Sequence, residues 1–200
     1  MNAIHPGRVL RPMRLLILVV FSALSGPTPA GAAAPADHEA LPPHVLFQHM
    51  TIDDGLAANN VVAITQDRDG GMWFGTENGL DRYDGYDFTP FGYAPQHPAR
   101  SIGRQSIYAL YAGGGDALWI GTENLVRYDR RHDRVERFPV SDHMGIRAIT
   151  ADGRGGLWFG GERIGLRKFD LRSGTLAGVY YQHDPDQPLR SDSINDLLVE

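Results

Sequence analysis

The chain has 200 residues and no cysteine, which excludes a disulfide-stapled scaffold and any cysteine-ligated zinc or iron–sulfur site. Hydrophobic content of 42% and charged content of 22% are globular values, and 24 glycines with 13 prolines point to many tight turns rather than long helices. The net charge is −5, arginine supplies all but one (Lys168) of the basic residues, and there is no basic block, so binding to nucleic acid through backbone neutralisation is not expected.

At the amino end, Arg8, Arg11 and Arg14 precede an apolar run from Leu15 to Leu24, followed by Pro27, Pro29 and a small-residue stretch. A positive region, a short apolar core and an A-x-A exit describe a secretory signal peptide over residues 1–36. The apolar run is too short to span a bilayer, which needs about 20 residues. Cleavage is expected after Ala32, Ala33 or Ala36; removal after Ala36 takes three arginines and no acid and leaves a net charge of −8. Residues 37–46 read as a linker.

The remainder repeats. Three segments, 61–88, 107–138 and 146–180, align on Trp73, Trp119 and Trp158, which stand 46 and then 39 residues apart. A fourth copy opens at Ile194, and Glu200 falls where Asp67 and Asp152 stand. Within the first copy, Val61–Gln66 is a nearly all-apolar run that predicts a strand buried on both faces. Asp67-Arg68-Asp69-Gly70-Gly71 is turn chemistry, with Asp bonding its own backbone and Gly supplying positive φ. Met72 to Gly75 is a short strand, Gly79 starts a turn into Leu80–Tyr83, and Asp84-Gly85 is a hairpin signal before Phe88–Phe91. Four strands in about 40 residues is the period of a propeller blade. The expected fold is therefore an all-β β-propeller of four-stranded antiparallel blades, with blades at about 61–91, 107–138 and 146–181 and another beginning at 194–200. That makes about three and a half blades of an incomplete ring.

The motif V-x-x-I-x-x-D-x-x-G-x-L-W-F/I-G-T-x-x-G-L-x-R-Y-D, carried by WFGTENGLDRYDG and LWIGTENLVRYD, resembles the two-component regulator propeller repeat over about Phe47 to Glu200. That resemblance implies the exported sensor region of a bacterial hybrid histidine kinase or diguanylate cyclase. It implies a kinase or cyclase output module, usually in the same chain after a transmembrane helix, and placement on the periplasmic face of the inner membrane. Two positions depart from the pattern. The second copy lacks the glycine that Gly79 provides, and Gly161 replaces Thr76 and Thr122, so the three turns are not expected to be identical. Phe47–Thr51 reads as the outermost strand of a blade, and an open ring implies an N-terminal piece of a longer protein or a truncated gene product.

No catalytic motif is present. Asp67-Arg68-Asp69-Gly70 resembles the start of a calcium loop but lacks the later ligands, and Gly113-Gly114-Gly115 lacks the lysine of a phosphate loop. The eight histidines (His5, His38, His44, His49, His97, His132, His143 and His183) are scattered, with only His132 and His143 placed to converge. Neither a metal nor another cofactor is expected. The recurring tryptophans and the Tyr83, Tyr128 and Phe169 series read as inter-blade packing rather than sugar-stacking rings. Ligand contact is expected on loops: the turns carrying Glu77 and Asn78, Glu123 and Asn124, and Glu162 and Arg163, with the linkers 92–104, 141–145 and 182–192. Their chemistry suits a polar small molecule or oligosaccharide, and homodimer formation stays open. The alternatives are a propeller enzyme of the streptogramin B lyase type and a stand-alone extracellular carbohydrate-binding module.

Overall fold

A computed structural model describes residues 47–91, 96–113, 115–141, 144–186 and 188–199. The export segment and linker expected over 1–46 lie outside the described residues, as do Gly114, His143, Glu200 and parts of the three linkers. Twelve strands are described: β1 (Val61–Gln66), β2 (Met72–Thr76), β3 (Gly79–Tyr83), β4 (Phe88–Phe91), β5 (Ala109–Ala112), β6 (Ala117–Gly121), β7 (Leu125–Asp129), β8 (Arg134–Phe138), β9 (Ile146–Ala151), β10 (Gly156–Gly161), β11 (Leu166–Asp170) and β12 (Thr175–Tyr180). They form three antiparallel four-stranded sheets, each in sequential order. The propeller blades expected from the repeat are thus present, as an arc that does not close.

Each blade is held at one end by aspartates in its turns. In the β1–β2 turn, Asp67 Oδ1 accepts the Asp69 and Gly71 amides at 2.9 Å each, while Gly70 takes φ +88°. Asp152 repeats this in the β9–β10 turn with the Arg154 and Gly156 amides at 2.8 Å. In the β3–β4, β7–β8 and β11–β12 turns, Asp84, Asp129 and Asp170 each accept two amides. A short acceptor side chain bonding its own backbone outcompetes extended pairing and turns the chain.

The blades pack face to face. The central strand β6 alternates its side chains between two cores: Leu118 and Ile120 lie in the cluster with Trp73, Leu80 and Ile107, whereas Trp119 lies in the cluster with Ile146, Phe159 and Phe169. Period-two alternation on a sheet covered on both faces produces this division. Blade 1 differs. Val62 and Ile64 are 47% and 57% exposed, so β1 is not buried on both faces as its sequence suggests, because no blade among the described residues covers its far side. Phe47–Thr51 is irregular and largely exposed rather than a strand.

The joints between blades share one geometry. Ile107 N–H donates to Thr76 O (2.9 Å), Ile146 N–H to Thr122 O (2.9 Å) and Ile194 N–H to Gly161 O (3.0 Å). Each isoleucine lies against a glycine of the preceding blade, Gly75, Gly121 and Gly160 respectively. A Cβ added at Gly75 would meet Ile107 Cγ2 at 2.6 Å and its Cβ at 3.0 Å. Gly75→Ala should therefore cost about 1–3 kcal/mol, the range for overpacking, read as a lowered urea midpoint with an unchanged slope. An unchanged midpoint would show that the joint has slack.

Candidate functional site

The residues expected to meet a ligand lie on the β2–β3, β6–β7 and β10–β11 turns, at the end opposite the aspartate turns. In the first two, a fully buried threonine shapes the turn. Thr76 Oγ1 donates to Gly79 O (2.9 Å) and accepts from Asn78 N (3.2 Å). Thr122 Oγ1 donates to Asn124 O and accepts from Asn124 N, both at 2.9 Å. The third turn is built differently. A Cβ at Gly161 would collide with Gly145 O, so threonine does not fit, and the turn instead places Arg163 at φ 58° and Gly165 at φ +66°.

Glu77, Asn78, Glu123, Glu162 and Arg163 are exposed and Asn124 is half-buried. Glu77 accepts from Asn60 Nδ2 (3.3 Å), and Asn78 Nδ2 donates to Ala57 O (3.2 Å). Glu162 pairs with Arg147 (3.1 Å) and with Arg163 (3.7 Å). Among the described residues no hydrogen bond or ion pair joins one turn to another, so these six residues form three separate polar patches, one per blade.

What the turns do contact is the linker that leads into the next blade. Ser106 Oγ donates to Glu77 O (3.1 Å), Ser141 Oγ donates to Glu123 O, and Arg163 N donates to Ser193 Oγ (3.3 Å). The linkers are anchored rather than free. Leu56 and Ile102 are buried, and Leu189 is half-buried with its N–H on Tyr181 O (3.1 Å). Each precedes the first residue of its repeat (Val61, Ile107, Ile194) by five positions, a spacing visible in the sequence but overlooked there. The linker before blade 3 lacks it, and Ser141 takes that position, fully buried.

Two carboxylates behave oppositely. Burial pushes the Asp67 carboxyl up, but the Trp73 indole N–H (2.9 Å), the Gly71 amide and the Arg130 guanidinium (2.8 Å) more than offset it and hold it below its ordinary value. Protein donors thus fill both oxygens of Asp67, and the calcium-like segment works as a turn and an inter-blade clamp. Among the described residues no cluster of His, Asp or Glu is placed to hold a metal. Burial also pushes up Asp81, and there it prevails: only the Ala57 N–H (2.8 Å) opposes it, and Asp81 Oδ1 has no hydrogen-bond partner among the described residues. Asp81 thereby clips the incoming linker onto blade 1.

Residues 55–78 match a family model described as two component regulator propeller, a span running from the linker anchor through β1 and β2 to Asn78. That part of blade 1 is similar to a two component regulator propeller repeat. The extracellular domain of a protein assigned as the hybrid two component system BT3049 of B. thetaiotaomicron superposes with a TM-score of 0.62 at 25% identity, over 73% of this chain and 21% of that one. The corresponding domain of BT4673 from the same organism gives 0.55 at 27% identity, over 68% of this chain and 17% of that one. A histidine kinase P4 of Formosa agariphila is 37% identical over 51 residues, 26% of this chain and 4% of that protein. The chain thus spans about a fifth of the solved domains it resembles.

Asp81→Asn keeps an acceptor for the Ala57 N–H and removes the buried charge. The folded state favours protonated Asp81, so stability is lost as the pH rises from the ordinary value of 3.8 through the raised native one. The variant should melt higher than the parent at neutral pH, and the gap should close in acid below that ordinary value. Equal midpoints at neutral pH would contradict the burial argument.

Proposed function

We propose that this propeller is the exported, ligand-sensing region of a bacterial membrane-spanning signalling protein with a histidine kinase or diguanylate cyclase output. The observation that carries the reading is the likeness, at 25–27% identity over about seven-tenths of the chain, to extracellular domains of hybrid two component systems. The arginine-led apolar segment over 1–36 supports export, with 37–46 as a linker and the periplasmic face of the inner membrane as the location. The ligand is a polar small molecule or oligosaccharide meeting Glu77, Asn78, Glu123, Asn124, Glu162 and Arg163.

The proposed mechanism follows from what the turns touch. Each is bonded to the linker that enters the next blade, so a ligand pulling on a turn loads a joint. If one joint geometry binds the ligand better than another, binding shifts the population between them. A rearranged joint then biases the output module.

The test uses the full-length protein in membrane vesicles, with autophosphorylation or cyclic dinucleotide synthesis as the readout and polar saccharides as probes. A saccharide that binds the propeller should change the output. Combined Glu77→Ala and Asn78→Ala substitution should weaken its binding by about tenfold, ~1.4 kcal/mol. Identical output with and without every saccharide that binds would sink the sensing role.

A further inference from the structure

Both joints between complete blades close around a triad of aromatic rings. At the first, Tyr128 of blade 2 lies 6.1 Å from Trp73 and 4.3 Å from Phe91 of blade 1. At the second, Phe169 of blade 3 lies 5.9 Å from Trp119 and 4.8 Å from Phe138 of blade 2. The two tryptophans are only 2% and 6% exposed. A buried indole still carries one N–H donor, which calls for an acceptor. Trp73 has one in its own blade: Nε1–H donates to Asp67 Oδ2 at 2.9 Å, and Arg130 of blade 2 neutralises that carboxylate at 2.8 Å.

At the second joint three positions of that arrangement differ at once. Six residues before Trp119 stands Gly113, where Asp67 and Asp152 stand in the other two blades, and Leu171 takes the place of Arg130. Tyr111, the cross-strand neighbour of Trp119, occupies the position that is Thr65 in blade 1 and Thr150 in blade 3. The result is space in place of a clamp. A cavity of about 390 Å³ opens between the blades, walled by Tyr111, Gly113, Trp119, Ala151, Leu157 and Leu171. The Tyr111 ring lies over Gly113, where a Cβ would meet its Cζ at 2.9 Å and its Oη at 3.0 Å. Among the described residues, neither the Trp119 indole N–H nor the Tyr111 hydroxyl has a hydrogen-bond partner. Leu171 is 41% exposed, so solvent reaches the cavity.

We propose that this cavity binds a compact neutral molecule carrying a hydroxyl or carbonyl oxygen on an apolar body. The ligand oxygen accepts from Trp119 Nε1–H, as Asp67 Oδ2 accepts from Trp73, and the Tyr111 hydroxyl is its second partner. Ala151, Leu157 and Leu171 take the apolar body. The volume lies within the range of small-molecule sites, about 300–1,000 Å³. Neutrality follows from the walls: among the described residues none that lines the cavity is charged, so an ionised ligand loses water there without gaining an ionic partner. The site sits among the aspartate-end turns, at the opposite end of the blades from Glu77, Glu123 and Glu162. It is therefore independent of whether those residues meet a ligand.

Fluorine NMR of the full-length protein labelled with fluorotryptophan tests this, the Trp119 resonance being assigned by its loss in Trp119→Phe. Cyclohexanol is the probe and cyclohexanecarboxylate the charged control. Cyclohexanol should shift the Trp119 resonance saturably and leave that of Trp73 in place. Gly113→Asp restores the acceptor that Trp73 has in Asp67, and it should weaken cyclohexanol binding about tenfold, the worth of one hydrogen bond to the ligand. Tyr111→Thr, the residue that the other two blades carry there, should also weaken binding, and it decides the matter if Gly113→Asp does not fold. A Trp119 resonance that stays in place would mean that the cavity holds only water. Unchanged affinity in the folded variants would put the probe elsewhere, and tighter binding of the carboxylate would make the site anionic. Each of these three results overturns the proposal.

Discussion

The structure hangs on one contact, made three times: an isoleucine at the start of a repeat lies against a glycine in the second strand of the repeat before and donates its N–H to the next carbonyl. The contact joins two needs. The backbone N–H of a first-strand residue must find an acceptor once buried, and a propeller must bring neighbouring sheets close at their inner edge. Glycine permits the approach, the carbonyl sets its direction, and Ile107 and Ile146 end fully buried. Burying each of these side chains is worth about 2 kcal/mol, and it also fixes the register of blade on blade. The ring triads can form only because the sheets are already held at this spacing.

With that contact constant, the joints are free to differ elsewhere. At the aspartate-turn end of the first joint, Arg130 of blade 2 bridges Asp67 (2.8 Å) and Asp69 (3.0 Å) of blade 1, and Arg68 pairs back to Asp116 (2.5 Å). At the second joint the corresponding positions are Gly113 and Leu171, which line one cavity together. Both members of the pair change together. Gly113 carries no carboxylate and the exposed Leu171 carries no cation, so neither charge is left without its partner.

Most of the fold was legible in the residues. Tryptophan spacing marked the register, Asp-x-Asp-Gly-Gly and Asp-Gly marked turns whose hydrogen bonds are local, and the alternating apolar runs became the strands. Such signals carry because each depends on its own neighbours in sequence. Less legible was anything set by another blade. The exposure of Val62 and Ile64 depends on whether a sheet covers them, which no local pattern encodes. The turn residues Glu77, Glu123 and Arg163 stood out as polar loop positions, but their backbone ties to Ser106, Ser141 and Ser193 span up to 30 residues and were not visible. The linker anchors Leu56 and Ile102 were visible in principle. Their five-residue lead on Val61 and Ile107 was masked by the third copy, where Ser141 breaks the pattern and is held through its hydroxyl instead.

The two ends of each joint thereby acquire different mechanical characters. At the aspartate-turn end of the first joint, ion pairs between charged groups are directional and resist sliding, while at the second joint Gly113 and the exposed Leu171 line a cavity and supply no such pair. At the opposite end, every turn shares hydrogen bonds with the following linker, so turn and linker move as one piece. A force applied to the β6–β7 turn through Glu123 or Asn124 reaches Ser141 and Gly145 and, through them, Ile146. The joint it reaches is the one that, among the described residues, has no ion pair at its far end. Of the two complete joints, the second is therefore the one whose geometry yields to such a force, while the first transmits it unchanged.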